Sequence, residues 1–364
     1  MAKKIFVAAT QQNDGKTTVS LGLIAALKKE FPRIGFIKPI GQRYLMEQGY
    51  QVDEDSVLIE HIFGIKCSIK DMSPVAIERG FTERYIEKGA AEDYAKLIKE
   101  SYDRVAKDND LVIIEGTGHA GVGSVFGLSN ATVAHLLNAN VIMISSGGVG
   151  KPIDEIMLNK ALLDKEKVKL AGVIVNKVLM EKYDRISRLV TKGMVQKGLN
   201  VCGVLPHHII LDIPTMREIM EELKLKPLYE GHNLDAPAEK ILIGAMHVRD
   251  ALPYIQNNSL MIIPGDRDDM VAATCDVHWG KLKKGCSISG VILSGGLLPK
   301  KRALNLLEQA LIPTLVTDEE TYTIASRVNN MIVKLKPQDS HKIKIIIDMV
   351  EKHVDIDNVL EHIK

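Results

Sequence analysis

Residues 5–18, IFVAATQQNDGKTT, limit what this chain can fold into more than any other stretch. They read as a short apolar strand, a loop, and a Gly-Lys-Thr that opens a helix. A chain that leaves the carboxyl end of a strand and turns straight into a helix brings several unpaired backbone N–H groups to one point, together with the positive end of the helix dipole. That point suits a phosphate. Gly15 lets the backbone approach the anion, Lys16 supplies a charge for β- and γ-phosphate oxygens, and the Thr17 hydroxyl is placed to ligate Mg2+. Asn13, Asp14 and Thr18 complete the expected nucleotide cradle. The loop's first half departs from the pattern, because the glycine expected there would fall at Thr10 or Ala9 and neither is glycine. The alternative is a chance Gly-Lys-Thr at an ordinary helix start. The preceding apolar strand, and an amphipathic helix read from Val19, Leu23, Ala26 and Leu27, favour nucleotide binding.

With 364 residues the chain is long enough for two domains, each with its own core. Its 47 Lys and Arg nearly balance 46 Asp and Glu, so no overall field attracts nucleic acid or an anionic membrane. Four cysteines, at 67, 202, 275 and 286, have neither Cys-x-x-Cys nor metal-like spacing and read as reduced thiols, mostly buried. The first residues run directly into a strand, and no apolar run is long enough to span a bilayer. The expectation is a soluble, cytoplasmic protein.

Short apolar runs at 5–9, 34–38, 111–116, 141–145, 171–176 and 201–205 alternate with helical-period segments. Continuous apolar strands separated by helices indicate a parallel sheet covered on both faces. Ligands then sit outside the carboxyl ends of the strands. The residues there are Lys38, Glu115 with Gly116, Ser145 with Ser146, and Asn176 with Lys177. Around Pro214 the texture changes. A helix at 215–223 precedes a second set of strands at 241–245, 260–264, 288–293 and 314–317, with helices from Asp268, at 300–310 and at 320–333. This gives an α/β fold: a P-loop NTPase-type parallel sheet with helices on both faces over residues 1–213, a smaller α/β domain over 214–333, and an amphipathic helical tail over 334–364.

A magnesium site at Thr17 needs an acidic partner. Glu115 ends an apolar strand and is followed by Gly116-Thr117-Gly118, a place that faces the phosphates; the other reading is a solvated strand-end acid. Asp53 and Asp55 offer a second ligand from a loop, or else a solvated helix start. Lys38 ends the second strand, where a buried lysine is costly unless it meets an anion. It is therefore a candidate second cation for a transferring phosphate. The alternative is a lysine snorkelling to solvent.

The set Gly15-Lys16-Thr17, Lys38-Pro39, Glu115-Gly116 and Val175-Asn176 resembles dethiobiotin synthetase, an ATP-dependent P-loop enzyme. The resemblance implies that Lys16 and Thr17 hold phosphate and magnesium, that Glu115 with Asp53 or Asp55 binds the metal, that Lys38 acts on carbamate and phosphate, and that Asn176 reads adenine. The departures fall on the substrate side: Thr10-Gln11-Gln12-Asn13-Asp14 precedes Gly15, Gly41 and Gln42 follow Lys38-Pro39, and Thr117-Gly118-His119 follows Glu115-Gly116. The phosphate machinery is kept while the diamine and carbamate site is not, which argues against a biotin role. In the second domain, Pro264-Gly265-Asp266-Arg267-Asp268-Asp269 and Ser294-Gly295-Gly296 resemble the DRTGG domain. The two together resemble the N-terminal, regulatory half of long phosphate acetyltransferases. Their acetyl-transferring domain needs about 300 further residues, more than one domain's length, so that activity is not expected of this chain.

Read by themselves, Asp266 is placed to cap the helix after Pro264-Gly265. The amides of Ser294-Gly295-Gly296 are placed either to form an anion nest or to make a structural turn, with Arg267 paired to an aspartate. Pro206, with His207 and His208, lies at a strand end where a base or ribose would sit; adjacent residues in extended chain point to different faces, so the histidines are not a chelating pair, and the alternative is a solvated loop. Gly147-Gly148-Val149-Gly150-Lys151 lacks a following Ser or Thr and reads as an ordinary loop. The functional expectation is an ATP- and Mg2+-binding regulator, a homodimer by resemblance, acting on an acetyl-transferring or other metabolic enzyme. The alternative is an ATP-dependent ligase or carboxylase for a carboxylate or amine.

Overall fold

The apolar run after Ala2 forms the middle of a parallel sheet, because each of its residues from Ile5 to Ala9 is buried on both faces. The computed structural model describes residues 2–89 and 92–363. They divide into two units, 2–208 with 335–363, and 209–334.

In the first unit the strands among the described residues are β1 (Lys3–Ala9), β2 (Ile34–Ile37), β3 (Ile40–Gly41), β4 (Tyr44–Glu47), β5 (Tyr50–Asp53), β6 (Val75–Ala76), β7 (Leu111–Glu115), β8 (Asn140–Ser146), β9 (Leu170–Val178) and β10 (Val201–Pro206). Six of them make an all-parallel sheet in the order β10-β9-β8-β1-β7-β2. Helices cover both faces, as continuous apolar strands require. The order changes direction beside β1, where open α/β sheets place their ligands. β4 and β5 form an antiparallel hairpin, and β3 pairs with β6. The hairpin ends on Asp53, which it delivers to the mouth of the sheet.

Helix Lys16–Leu27 is not the amphipathic helix its spacing suggests. Ser20, Leu21 and Gly22 are buried as well as Val19, Leu23, Ala26 and Leu27. The reason is the C-terminal segment. Helix Ser340–His353 packs along this helix, with Val350 filling the space left by Gly22. Its continuation bonds to the edge strand β10: Asp355 N donates to Cys202 O (2.8 Å), and Gly203 bridges to Val354. Asn200 and Asn358 exchange side-chain hydrogen bonds, and Asn140 Nδ2 donates to His362 O (2.8 Å). Residues 340–363 thus cover both an edge that would otherwise be open and a helix face that would otherwise be apolar.

The second unit holds β11 (Lys226–Tyr229), β12 (Lys240–Ile243), β13 (Ser259–Pro264), β14 (Ile288–Ser294) and β15 (Thr314–Val316), in the order β11-β15-β14-β13-β12. β11 is antiparallel and carries Pro227, which an edge strand tolerates; the other pairings are parallel. Helix Met216–Leu223 starts in a capping box between Thr215 and Glu218. Among the described residues no helix is long and apolar enough to cross a membrane.

Candidate functional site

The loop between β1 and helix Lys16–Leu27 is built by polar side chains where glycine is missing. Thr10 N donates to Ile144 O (2.8 Å) and continues the sheet ladder. Asp14 is buried and closes the turn: its Oδ2 accepts from Gln11 N and from the Thr10 hydroxyl (both 2.8 Å), and its Oδ1 accepts from Ser146 Oγ (2.7 Å). Asn13 and Gly15 adopt positive φ, 70° and 92°. At Gly15 glycine is required for a second reason, since a Cβ there would lie 2.3 Å from Asn176 Nδ2. Asn176, at the end of β9, props the loop by donating to Asp14 O (2.9 Å) and accepting from Lys177 N (2.9 Å). Both ends of the amide expected to read adenine are therefore engaged with backbone.

Lys16 and Thr17 open the helix, with Thr18 behind them in its first turn. Lys16 Nζ donates to Gln11 O (3.5 Å), and burial holds its amine below the usual lysine range. The Thr17 hydroxyl donates to Glu115 Oε1 at 3.0 Å. Glu115, ending β7, is fully buried. Burial, reinforced by Asp55, pushes its carboxyl up to about 7.

Lys38 does meet an anion, but the anion is the protein's own. Its Nζ lies 2.8 Å from Asp53 Oδ1 and 3.8 Å from Glu115 Oε1, and it bonds Asp55 Oδ2. Burial pulls the Lys38 amine down, but the three carboxylates outweigh it and hold the group above the ordinary lysine range. Burial also raises the Asp53 carboxyl, against the opposing pull of Lys38. Asp53 is no solvated helix start: it is 1% exposed, caps helix Glu54–Phe63 by accepting from Asp55 N (3.0 Å), and reaches Lys38 because Gly41 leaves room. A Cβ at Gly41 would lie 2.6 Å from Asp53 Cβ. The expected second cation for a phosphate is thus committed to the expected metal ligands.

These residues fit a magnesium ion. Thr17 and Glu115 are hard oxygen donors, and the buried Glu115 carboxylate, which has the Thr17 and Ser20 hydroxyls and the Lys38 amine beside it, has room in its coordination for a cation. Among the described residues no three His, Cys, Asp or Glu are grouped to hold a metal by themselves. Magnesium commonly relies on one or two carboxylates, completed by phosphate oxygens and water.

Pro206 ends β10 at the same edge of the sheet, and the ladder extends one residue further through His207 N to Val178 O (2.7 Å). His208 Nδ1 is buried without a partner. Gly147 is a close-approach glycine, 2.8 Å from Lys177 O for a Cβ, and helix Gly150–Lys165 begins directly after the glycine loop. Two contributors that sequence reading passed over are Gln11 and Glu155, which bond each other across the loop. Nothing in their local sequence marks them, since they lie 144 residues apart.

In the second unit one expectation is corrected, and of the two readings of the glycine turn the structural one holds. Asp266 does not cap the following helix. Helix Asp268–His278 has Arg267 at its N-cap and no side-chain cap bond. The nest is not available either: Gly295 N donates to Glu319 O (2.7 Å) and Gly296 N to Thr317 O (3.0 Å). Arg267 is paired to Asp269 through Nε and Nη2 (2.8 and 2.9 Å), and its remaining donors go to the carbonyls of Gly244, Ala245 and Met246. All five guanidinium donors are used, so Arg267 is a clamp on the turn after β12.

Comparison with known proteins matches residues 3–222 to the AAA domain and residues 218–331 to the DRTGG domain. The chain is 26% identical to a phosphate acetyltransferase of Nitratidesulfovibrio vulgaris, over 98% of this chain and 51% of that protein. It is 25% identical to one from Synechocystis, over 100% of this chain and 52% of that protein. The chain thus spans about half the length of these curated relatives, their N-terminal half. Among solved structures, a putative plasmid partition protein of Borrelia burgdorferi bound to AMPPNP aligns with 15% identity over 58% of this chain and 89% of that one, at a TM-score of 0.38. The P-loop sheet and the unit that follows it accordingly make this chain a member of the AAA domain family, joined to a DRTGG domain.

Proposed function

We propose that the first unit binds ATP with magnesium and that the DRTGG domain makes the chain a nucleotide-responsive regulator, related to the N-terminal half of phosphate acetyltransferase. The observation that carries this reading is the pair Thr17 Oγ1 and Glu115 Oε1 at 3.0 Å, beside Lys16 and at the opening of the P-loop helix. Lys16 would meet the β- and γ-phosphate oxygens, and the amides from Asn13 to Thr18 would surround them. Thr17 and Glu115 would hold the magnesium ion, with Asp53 or Asp55 as further oxygen ligands. When bound, the ion supplies positive charge to the phosphates. Pro206 and Asn176 lie at the edge of the sheet where the base would rest. A homodimer, and an acetyl-transferring or other metabolic enzyme as its target, belong to the same proposal.

Regulation is favoured over ligase chemistry because Lys38 faces three carboxylates in place of a substrate anion. The test is phosphate release from ATP and magnesium in the presence of small carboxylates, amines and bicarbonate. Slow release that none of these additions accelerates is the expected result. Brisk, substrate-dependent release would overturn the regulatory reading in favour of a ligase or carboxylase.

A further inference from the structure

Glu155 lies on helix Gly150–Lys165, one turn after Lys151, whose amine is 3.6 Å from it. Its two carboxylate oxygens reach the first half of the phosphate-binding loop. Gln11 Nε2 donates to Oε1 at 2.6 Å, and the Thr10 hydroxyl lies 3.1 Å from Oε2. The turn carrying Glu155 is itself fixed. Asn159 Nδ2 donates to Glu155 O (2.8 Å), and Asn159 Oδ1 accepts from Ala120 N (2.9 Å) in the segment after β7.

The Thr10 hydroxyl has one proton and three oxygen neighbours: Asp14 Oδ2 at 2.8 Å, Ser145 Oγ at 3.0 Å and Glu155 Oε2 at 3.1 Å. It donates to one carboxylate at a time and accepts from Ser145. Gln11 offers its carbonyl to Lys16 Nζ. Glu155 thus holds the side chain of the residue whose backbone carbonyl lies 3.5 Å from Lys16 Nζ. Asn13 holds a positive φ without being glycine, a conformation the free chain seldom adopts, so the loop needs contacts to keep it. Ordering such a loop only on binding lowers affinity.

We infer that Glu155 is a positioning residue for the phosphate-binding loop. It holds the Thr10 hydroxyl and the Gln11 side chain, so that the first half of the loop is ordered before the nucleotide arrives. This rests on the nucleotide-binding reading above.

The test is calorimetric binding of ATP with magnesium to the full chain, for wild type, Glu155→Ala, Glu155→Gln, Gln11→Ala and the Gln11→Ala/Glu155→Ala double variant. Glu155→Ala is expected to weaken binding about ten-fold, and Glu155→Gln, which keeps one acceptor oxygen, about two- to three-fold. Gln11→Ala should matter less in the Glu155→Ala background than in wild type. Thermal midpoints without nucleotide separate the two roles, because a merely structural residue would shift the midpoint without coupling to Gln11 in affinity. Wild-type or tighter affinity in Glu155→Ala would overturn the inference. If that variant does not fold, wild-type affinity in Glu155→Gln, with an undiminished Gln11 effect, would do the same. Absence of binding in wild type would instead remove the nucleotide reading, and the inference with it.

Discussion

Lys38 Nζ sits 2.8 Å from Asp53 Oδ1, and both side chains are almost wholly withdrawn from water. Neither charge would be stable there by itself. Lys38→Met is expected to destabilise the first unit by about 3–5 kcal/mol, because it leaves Asp53, Asp55 and Glu115 facing one another without a counter-charge. Asp53→Asn should cost less, since two carboxylates still face the lysine. Urea denaturation of the two variants checks this, and a Lys38→Met protein as stable as wild type would show that the cluster is not held by the lysine.

Glu115→Gln separates stability from function. The buried carboxyl, pushed up to about 7, costs the folded state energy when ionised at neutral pH. The amide should raise unfolding stability without ligand by about 1–3 kcal/mol, while weakening any magnesium-dependent nucleotide binding. Thermal melts with and without ATP and magnesium read both effects. A variant that loses stability in the ligand-free protein would contradict the burial argument.

Gly22 is needed because Val350 occupies its side-chain space, 2.3 Å from where a Cβ would stand. Alanine in a helix ordinarily gains about 1 kcal/mol over glycine. Here Gly22→Ala should instead destabilise, by about 1–3 kcal/mol from overpacking, and Val350→Ala should recover much of the loss. A double-mutant cycle on denaturation midpoints tests the pair, and additive effects would mean that the two helices do not meet as described.

The four thiols should divide by burial. Burial pushes the Cys202 thiol up to about 11 and the Cys275 thiol up to about 12, and both side chains are buried; Cys67 and Cys286 are half-buried. At pH 8 a thiol-specific disulfide reagent should label Cys286 in the native protein, Cys67 more slowly because burial pushes its thiol up as well, and all four after denaturation. Fast native labelling of Cys202 or Cys275, located by peptide mapping, would contradict the packing around them.

The parts of the fold that could be read from sequence are those encoded in short stretches. Continuous apolar runs mark β1, β2, β7, β8, β9 and β10 because a strand buried on both faces cannot alternate. Gly15-Lys16-Thr17 marks the loop because its chemistry is local. What could not be read depends on contacts across long separations. Asp53 is drawn inward by a hairpin and by the space at Gly41, and its true partner is Lys38. Glu155 reaches Gln11 only once β8 and its following helix lie beside β1. Helix Lys16–Leu27 looked one-sided because nothing near it in sequence announces Val350, which arrives from the far end of the chain. β11 is short and carries Pro227, so it has no continuous apolar run to mark it, and it lies at an edge of its sheet.

The central claim is a working phosphate-binding loop despite Ala9 and Thr10. Its most direct test is calorimetric titration of ATP, with and without magnesium, into wild type and Lys16→Ala. The account predicts binding to wild type that is strengthened by magnesium and lost in Lys16→Ala. No binding to wild type, or equal binding to both proteins regardless of magnesium, would contradict it.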